Sequence, residues 1–348
     1  MRPPGTTDAR APSAPAAMAD ARSADASLGA FLGSLPRDVL ARHVLARLDP
    51  ADLALFARAG KACASILRDV GVPVPRLTLA GVARHPRLLA WALDEAGCPA
   101  DHRVVAAAAA GDHLDSLLWA RDRGLPTTHP TACRRAAERG SLAALAFLFG
   151  GAKTTECSPR GASERINSAD AATSSDDPGL PRACAALAAR GGHVDVLRWL
   201  AASFPSEVTL GASECAAAAG AGRLETLAFL VDEQGATPNA LAFEAAARGG
   251  HVAAMAWLRA RGFSVPGEER ACAYAARGGH VEALEWARAM GMPWDRETCK
   301  AAARSGRLDV LRWLRRNGCP WDEWTCVYAE RAGHAHVARW ARENGCPG

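Results

Sequence analysis

The stretch CPWDEWTC, residues 319–326, sets two cysteines seven positions apart, with two acids and two tryptophans between them. Thiolates so placed could ligate a metal or form a redox pair. Eleven cysteines and ten histidines occur in the chain, so further ligands are at hand. Yet no CxxC pair is present, and His334 and His336 stand two apart, where a helix presents ligands three or four apart. Residues 150–155, GGAKTT, lack the G-x-x-x-x-G-K-[ST] spacing of a phosphate loop. Neither G-x-S-x-G nor H-E-x-x-H appears. These patterns predict a protein that is not an enzyme and needs no cofactor or metal.

Repetition decides what the thiols and imidazoles are for. A large aromatic recurs at Trp91, Trp119, Phe147, Trp199, Phe229, Trp257, Trp286, Trp313 and Trp340. The intervals are 28, 28, 52, 30, 28, 29, 27 and 27 residues. The long one is a repeat plus a polar, Gly- and Ser-rich insertion at 150–179, expected to be a flexible loop. Cys133, Cys184, Cys215, Cys272, Cys299 and Cys326 stand 14 or 15 residues before the aromatic, where other repeats have Val105 or Phe243. A slot that takes Cys, Val or Phe is a buried apolar position. Cys98, Cys319 and Cys346 share a turn slot with Leu125, Phe263 and Met292. Only Cys63 and Cys157 fall outside this register, and Cys157, in the insertion, is the thiol expected to react.

Histidines keep the register too. His85, His113, His193, His251, His280 and His334 lie six residues before the aromatic, and Ser141, Arg223 and Arg307 hold the slot elsewhere. That mixture suits a structural role at the inter-helix turn better than a metal site. Arg190, Arg248, Arg277, Arg304 and Arg331 each stand two residues before the glycine ending a first helix. They could complement the negative helix terminus. That reading is favoured, and they could also form a basic ladder for an acidic peptide.

Each unit reads as two helices. In the one ending at Trp313, Asp295 can cap a first helix that stops at Gly306, and Leu308, Leu311 and Leu314 line the second. Asp322 is expected to be the same cap one repeat later. Trp324 has no counterpart in the preceding repeat and is a candidate partner contact or part of a terminal cap. A helix pair this short cannot bury its apolar face alone, so copies must stack. The fold class is all-α, a helical-repeat solenoid with a small N-terminal helical module. Alanine-rich composition agrees. A net charge of +4 gives no strong case for nucleic acid, which is excluded from the expected partners. No apolar run reaches the roughly 18 residues that span a bilayer, so no membrane is expected either. Residues 1–27 lack the apolar core of a secretory signal and read as a disordered leader. Reduced thiols in the cytoplasm or nucleus, and a monomer, are expected.

Residues 76–348 resemble the ankyrin repeat: GRLDVLRWLRRNG is similar to that family's second helix, CKAAARSGR to its first helix and turn. The usual Thr-Pro-Leu-His opening is replaced by segments such as ETCKAAA, and each unit is about six residues short. The match is to a short, Trp-rich ankyrin variant with a GCPWD signature, found in algae and protists. It implies about nine repeats with reduced or absent hairpin fingers, binding a target protein.

Residues 28–70 carry LPRDVLARHVLARLDPADLALFARAGKACASIL, which resembles an F-box. Ala59 and Cys63 depart from that pattern, where valine and tryptophan are usual. The resemblance implies that Leu35, Pro36, Val39, Leu40, Val44 and Leu48 dock on a Skp-type adaptor of a cullin-RING ubiquitin ligase. The alternative is a helical cap on the first repeat, leaving a plain interaction scaffold. The repeat surface residues expected to touch a partner are Arg190, Arg248, Arg277, Arg304, Arg331 and Trp324.

Overall fold

A computed structural model describes residues 45–47, 53, 61–71, 73, 78–94, 97–150, 177, 179–263 and 268–347. The leader, nearly all of the 150–179 insertion, and Leu35, Pro36, Val39, Leu40, Val44 and Leu48 lie outside them. The chain divides into two compact units, Met1–Cys98 and Pro99–Gly348. Every regular element among the described residues is helical.

The first unit contains a 3-10 turn at Leu45–Arg47, then α1 (Lys61–Val70), α2 (Leu79–Val82) and α3 (Pro86–Asp94). Leu45, Leu67, Leu89 and Ala92 are buried there. Thr78 caps α2 by accepting from Gly81 N–H at 3.2 Å. Trp91, the first aromatic of the series, lies half-buried on α3.

Eight helix pairs make up the second unit. They are α4 (His102–Ala110) with α5 (Leu114–Asp122), α6 (Pro130–Arg139) with α7 (Leu142–Leu148), and α8 (Leu180–Gly191) with α9 (Val194–Ser203). Next come α10 (Ala212–Gly220) with α11 (Leu224–Ala228), and α12 (Ala240–Gly249) with α13 (Val252–Ala260). The last are α14 (Glu268–Gly278) with α15 (Val281–Ala289), α16 (Arg296–Arg304) with α17 (Leu308–Arg316), and α18 (Glu323–Arg331) with α19 (Ala335–Glu343). Helix α11 runs on into one wide π-helical turn at Phe229–Glu233. Second helices bury a Leu- and Val-rich stripe, such as Val310, Leu311 and Leu314.

First helices pack chiefly on the first helix of the next pair. Alanine makes that contact close. Ala108, Ala136, Ala188, Ala218, Ala246, Ala275, Ala302 and Ala329 hold one equivalent position, each with 0% exposure. The following residue is also a fully buried alanine in seven pairs. In α18, which no further first helix covers among the described residues, it is Glu330, exposed and paired with Arg342.

Each first helix ends in a left-handed residue four positions after that shared alanine: Asp112 (φ 56) in α4–α5 and glycine in the other seven pairs. In the seven pairs after α4–α5, the side chain after it crosses to the preceding repeat. His193 Nε2 lies 3.0 Å from the Glu138 carbonyl, Ser141 Oγ donates to Ala110 O at 3.2 Å, and Arg223 Nε donates to Arg190 O at 3.4 Å. These three carbonyls are equivalent, in the last turn of the preceding first helix, where intrahelical partners run out. The slot therefore requires a donor that reaches, which explains why His, Ser and Arg all serve. The sequence placed these bonds within the histidine's own turn; they join neighbouring repeats instead. Space is equally restricted: a Cβ on Gly278 would lie 2.1 Å from Arg248 O, and one on Gly250 2.4 Å from the His280 ring.

Removing the donor without filling the space should weaken the stack. We expect His193→Ala to cost about 1 kcal/mol, read as a lower urea midpoint. His193→Arg should recover part of the loss, because Arg223 already makes the same bond. Equal midpoints for the alanine variant and the wild type would refute the role of this bond.

Candidate functional site

The residues that first suggested chemistry are dispersed through the stack. Cys319 Sγ donates to Asp295 O at 3.4 Å, within the α16–α17 repeat. Cys326 belongs to the next repeat, packed with Ala341, Cys346, Trp321 and Trp340. Cys133, Cys215, Cys272, Cys299 and Cys326 occupy one first-helix position, Cys184 the position before it, and all six are buried. Burial pushes the Cys133 thiol up to about 12 and those of Cys215 and Cys272 to about 11. A hydrogen bond with Cys299, together with burial, raises Cys319 far above the ordinary thiol range. Among the described residues, no three His, Cys, Asp or Glu side chains converge as a metal site would require.

Arginines on the second helices are engaged with aromatic rings. Arg121 lies 5.4 Å from the Phe147 ring, Arg198 4.8 Å from Phe229 and Arg312 5.6 Å from Trp340, each reaching the next repeat. Arg288 sits over Trp294 at 4.5 Å and Arg315 over Trp321 at 4.2 Å. Those two tryptophans meet Trp313 and Trp340 edge-on at 5.9 and 6.1 Å. The π-helical turn supplies Glu233 to Arg198 at 2.7 Å and Asp232 to Arg261. Most cations of this face hold repeats together, Arg316 and Arg339 being exposed exceptions.

The first-helix face is built differently. Helix α14 presents Arg270, Ala273, Tyr274 and Arg277, spaced as one stripe of a helix. At equivalent positions α16 presents Glu297, Lys300, Ala301 and Arg304, and α18 presents Trp324, Val327, Tyr328 and Arg331. A groove of about 370 Å³ runs between them, lined mainly by the α14 and α16 residues and Tyr328. Arg248 of α12 reaches the Tyr274 ring at 5.4 Å and Arg270 reaches it at 5.8 Å. Burial and a hydrogen bond to Glu244 raise the Tyr274 pKa, so its phenol stays neutral. Among the described residues, Arg248, Arg270, Arg277, Arg304 and Arg331 have no carboxylate partner. Lys300 does: Asp322 Oδ2 lies at 3.1 Å and Glu297 Oε1 at 2.9 Å. Burial lowers its pKa, the two hydrogen bonds more than offset this, and the net shift is upward.

Asp322 corrects one expectation. Asp295 caps α16 as foreseen, accepting from Glu297 N–H at 3.0 Å. Asp322, at the start of α18, makes no side-chain capping bond. Lys300 of the preceding first helix holds its carboxylate instead, a cross-repeat pair largely shielded from water.

Of the ladder residues, Arg248, Arg277, Arg304 and Arg331 fall on consecutive first helices, all exposed. Arg190, on α8, is separated from them by α10, where Gly220 stands at the equivalent position. Trp324 is 43% exposed, its ring 6.1 Å from Tyr328. Leu241 of α12, 56% exposed, is its equivalent at the other end of the four-helix track. Sequence reasoning passed over Tyr274, Tyr328, Arg270 and Lys300. The signal was there: the chain's two tyrosines share one repeat position, two repeats apart.

No family model matches the chain. No curated protein matches it. Among solved structures, the pentatricopeptide repeat protein PPR10 from maize is similar at 16% identity and a TM-score of 0.31. The match covers 92% of this chain and 53% of that one. The same protein in complex with an 18-nt psaJ RNA element gives 17% identity, a TM-score of 0.34 and the same coverage. This chain thus spans about half the length of the solved chains. So distant a likeness extends to the helical-repeat fold alone. It does remove one expectation. Two of the similar structures are complexes with an 18-nt psaJ RNA element, which runs against the exclusion of nucleic acid from the expected partners. A mild net charge averages over faces as unlike as the two described above and is no ground for it.

The raised thiols fix a pH dependence. Folded Cys215 and Cys272 titrate near 11, above the ordinary 9.0, so the unfolded chain ionises first as pH rises. Their contribution to stability is complete below pH 9 and is lost between about 9 and about 11. Melting temperature should fall across that window, and less steeply in the Cys215→Ala/Cys272→Ala variant. An unchanged slope in the variant would exclude these thiols as the cause. Alkylation mapped by mass spectrometry should spare the eight buried cysteines until the chain unfolds.

Proposed function

We propose that this protein is a non-catalytic binding adaptor whose first-helix face, over α12 to α18, recruits an acidic segment of a target protein. One observation carries the reading. Most second-helix arginines, among them Arg121, Arg198, Arg312 and Arg315, are engaged by rings or carboxylates within the stack, Arg316 and Arg339 being exceptions, while Arg248, Arg277, Arg304 and Arg331 form a row on four successive helices with no carboxylate partner among the described residues. An uncompensated row of guanidiniums destabilises itself by repulsion and is relieved by an anionic ligand. Tyr274, Tyr328 and Trp324 add aromatic surface of the kind enriched at interfaces. Thiols held above their ordinary pKa are poor nucleophiles, which favours binding over catalysis. We read the helix pairs as short ankyrin-like units in which a turn replaces the hairpin finger. The F-box-like sequence at 28–70 suggests the second half of the adaptor, engagement of a Skp-type protein of a cullin-RING ligase in the cytoplasm or nucleus.

The two halves separate experimentally. Labelled poly-glutamate should bind the full chain with salt-sensitive affinity, and Arg277→Glu/Arg304→Glu/Arg331→Glu should weaken it tenfold or more with an unchanged thermal melt. Equal binding by the variant would discard this face as the site. For the N-terminal half, a Skp-type adaptor should be retained by wild type and lost with Leu35→Asp/Pro36→Ala. Failure of the wild type to retain it leaves an interaction scaffold with no ubiquitin role.

A further inference from the structure

Resting on that reading of the face, we infer the form of its ligand: an extended polyproline II segment with a carboxylate at every third residue. The argument is one of pitch and facing. First helices pack directly on one another, with axes about 8–10 Å apart. Arg248, Arg277, Arg304 and Arg331 hold equivalent positions on four successive ones, so the rungs recur at about that distance. A polyproline II helix has about 3 residues per turn at about 3.1 Å each, so every third side chain returns to the same side after about 9.3 Å. A β-strand covers a similar distance in three residues, but its side chains alternate and the third points away. The planar guanidinium fork matches a carboxylate.

A second line of residues runs beside the ladder, three positions earlier in each helix: Ala245, Tyr274, Ala301 and Tyr328. Small and aromatic alternate. Ala301 therefore lies at the bottom of a well between two phenol rings, within the groove lined by Tyr274, Ala301, Arg304 and Tyr328. Spacer residues of the ligand fall over this line, and a proline ring or aliphatic side chain fills the well. A ligand α-helix also matches the pitch, with one acid per seven residues. At about 10–12 Å across, it rests on the two rings and leaves the well empty.

The test is fluorescence anisotropy with the full chain. Four probes of about twelve residues are compared: a Glu-Pro-Pro repeat, the same composition with its acids clustered, a helix-forming peptide with acids one heptad apart, and a single-stranded homopolymeric RNA. The register peptide should bind about fivefold or more tighter than its clustered isomer. Arg304→Glu should abolish that preference, and Ala301→Leu, which fills the well, should weaken the register peptide alone. Equal binding of the two isomers, or tighter binding of the heptad peptide or the RNA, overturns the inference. Poly-glutamate would still bind in the first two cases, leaving the acidic-segment face intact. Loss of poly-glutamate binding as well would overturn both.

Discussion

Everything in the repeat unit depends on how closely two first helices can approach. A pair of 9-residue helices such as α16 and α17 has too little apolar surface to fold unaided. Its stability comes from the neighbour. Fifteen fully buried alanines set the spacing at that contact, and a larger side chain there would force the stack apart at a cost of about 1–3 kcal/mol. The close approach has consequences at the helix end. Backbone meets backbone, glycine is needed where Gly278 faces Arg248 O, and the exposed carbonyls need a donor from the next repeat. His193, Ser141 and Arg223 meet that need with three different chemistries. What looked like a histidine motif is a rule about a donor at fixed reach.

The same geometry divides the surface into two kinds. Alanine contacts bring first helices near, while the larger apolar side chains, Leu, Val and Trp, are gathered on the second helices. Phe147, Phe229 and Trp340 on that side recruit Arg121, Arg198 and Arg312 from the repeat before, so these cations tie neighbours together. Rings are scarce on the first-helix side, and its arginines have nothing comparable to rest on except Tyr274. The face also changes along the stack. Helix α10 presents Ser213, Ala216, Ala217 and Gly220 at the positions where α14 presents Arg270, Ala273, Tyr274 and Arg277. Charged and aromatic side chains at these positions are concentrated in the later repeats.

The repeat period, the helix pairs and the burial of the cysteine slot were legible in the sequence, because each recurs with a fixed offset from one aromatic. Features that bind one repeat to the next were harder to read. Asp322 matches Asp295 in local sequence, but its partner Lys300 lies 22 residues back, on another helix. No local pattern distinguishes a capping carboxylate from one claimed by a neighbour. The groove was missed for a related reason. Arg277, Tyr274 and Ala301 become adjacent only when repeats are superposed, and a scan along the chain meets them far apart. The F-box-like residues from Leu35 to Leu48 rest on resemblance alone, since they fall outside the described residues.

A stack of this kind recognises by spacing more than by any single contact. Each exposed ion pair is worth only about 0.2–1 kcal/mol, and one rung binds nothing usefully. Four rungs on one rigid track act together only if the ligand's charges arrive at the same interval. The interval is set by alanine contacts that no ligand touches. Substituting a rung changes one term of the sum, whereas widening the spacing would mismatch all of them together. On the proposed reading, selectivity would be a property of the core packing, displayed on the surface.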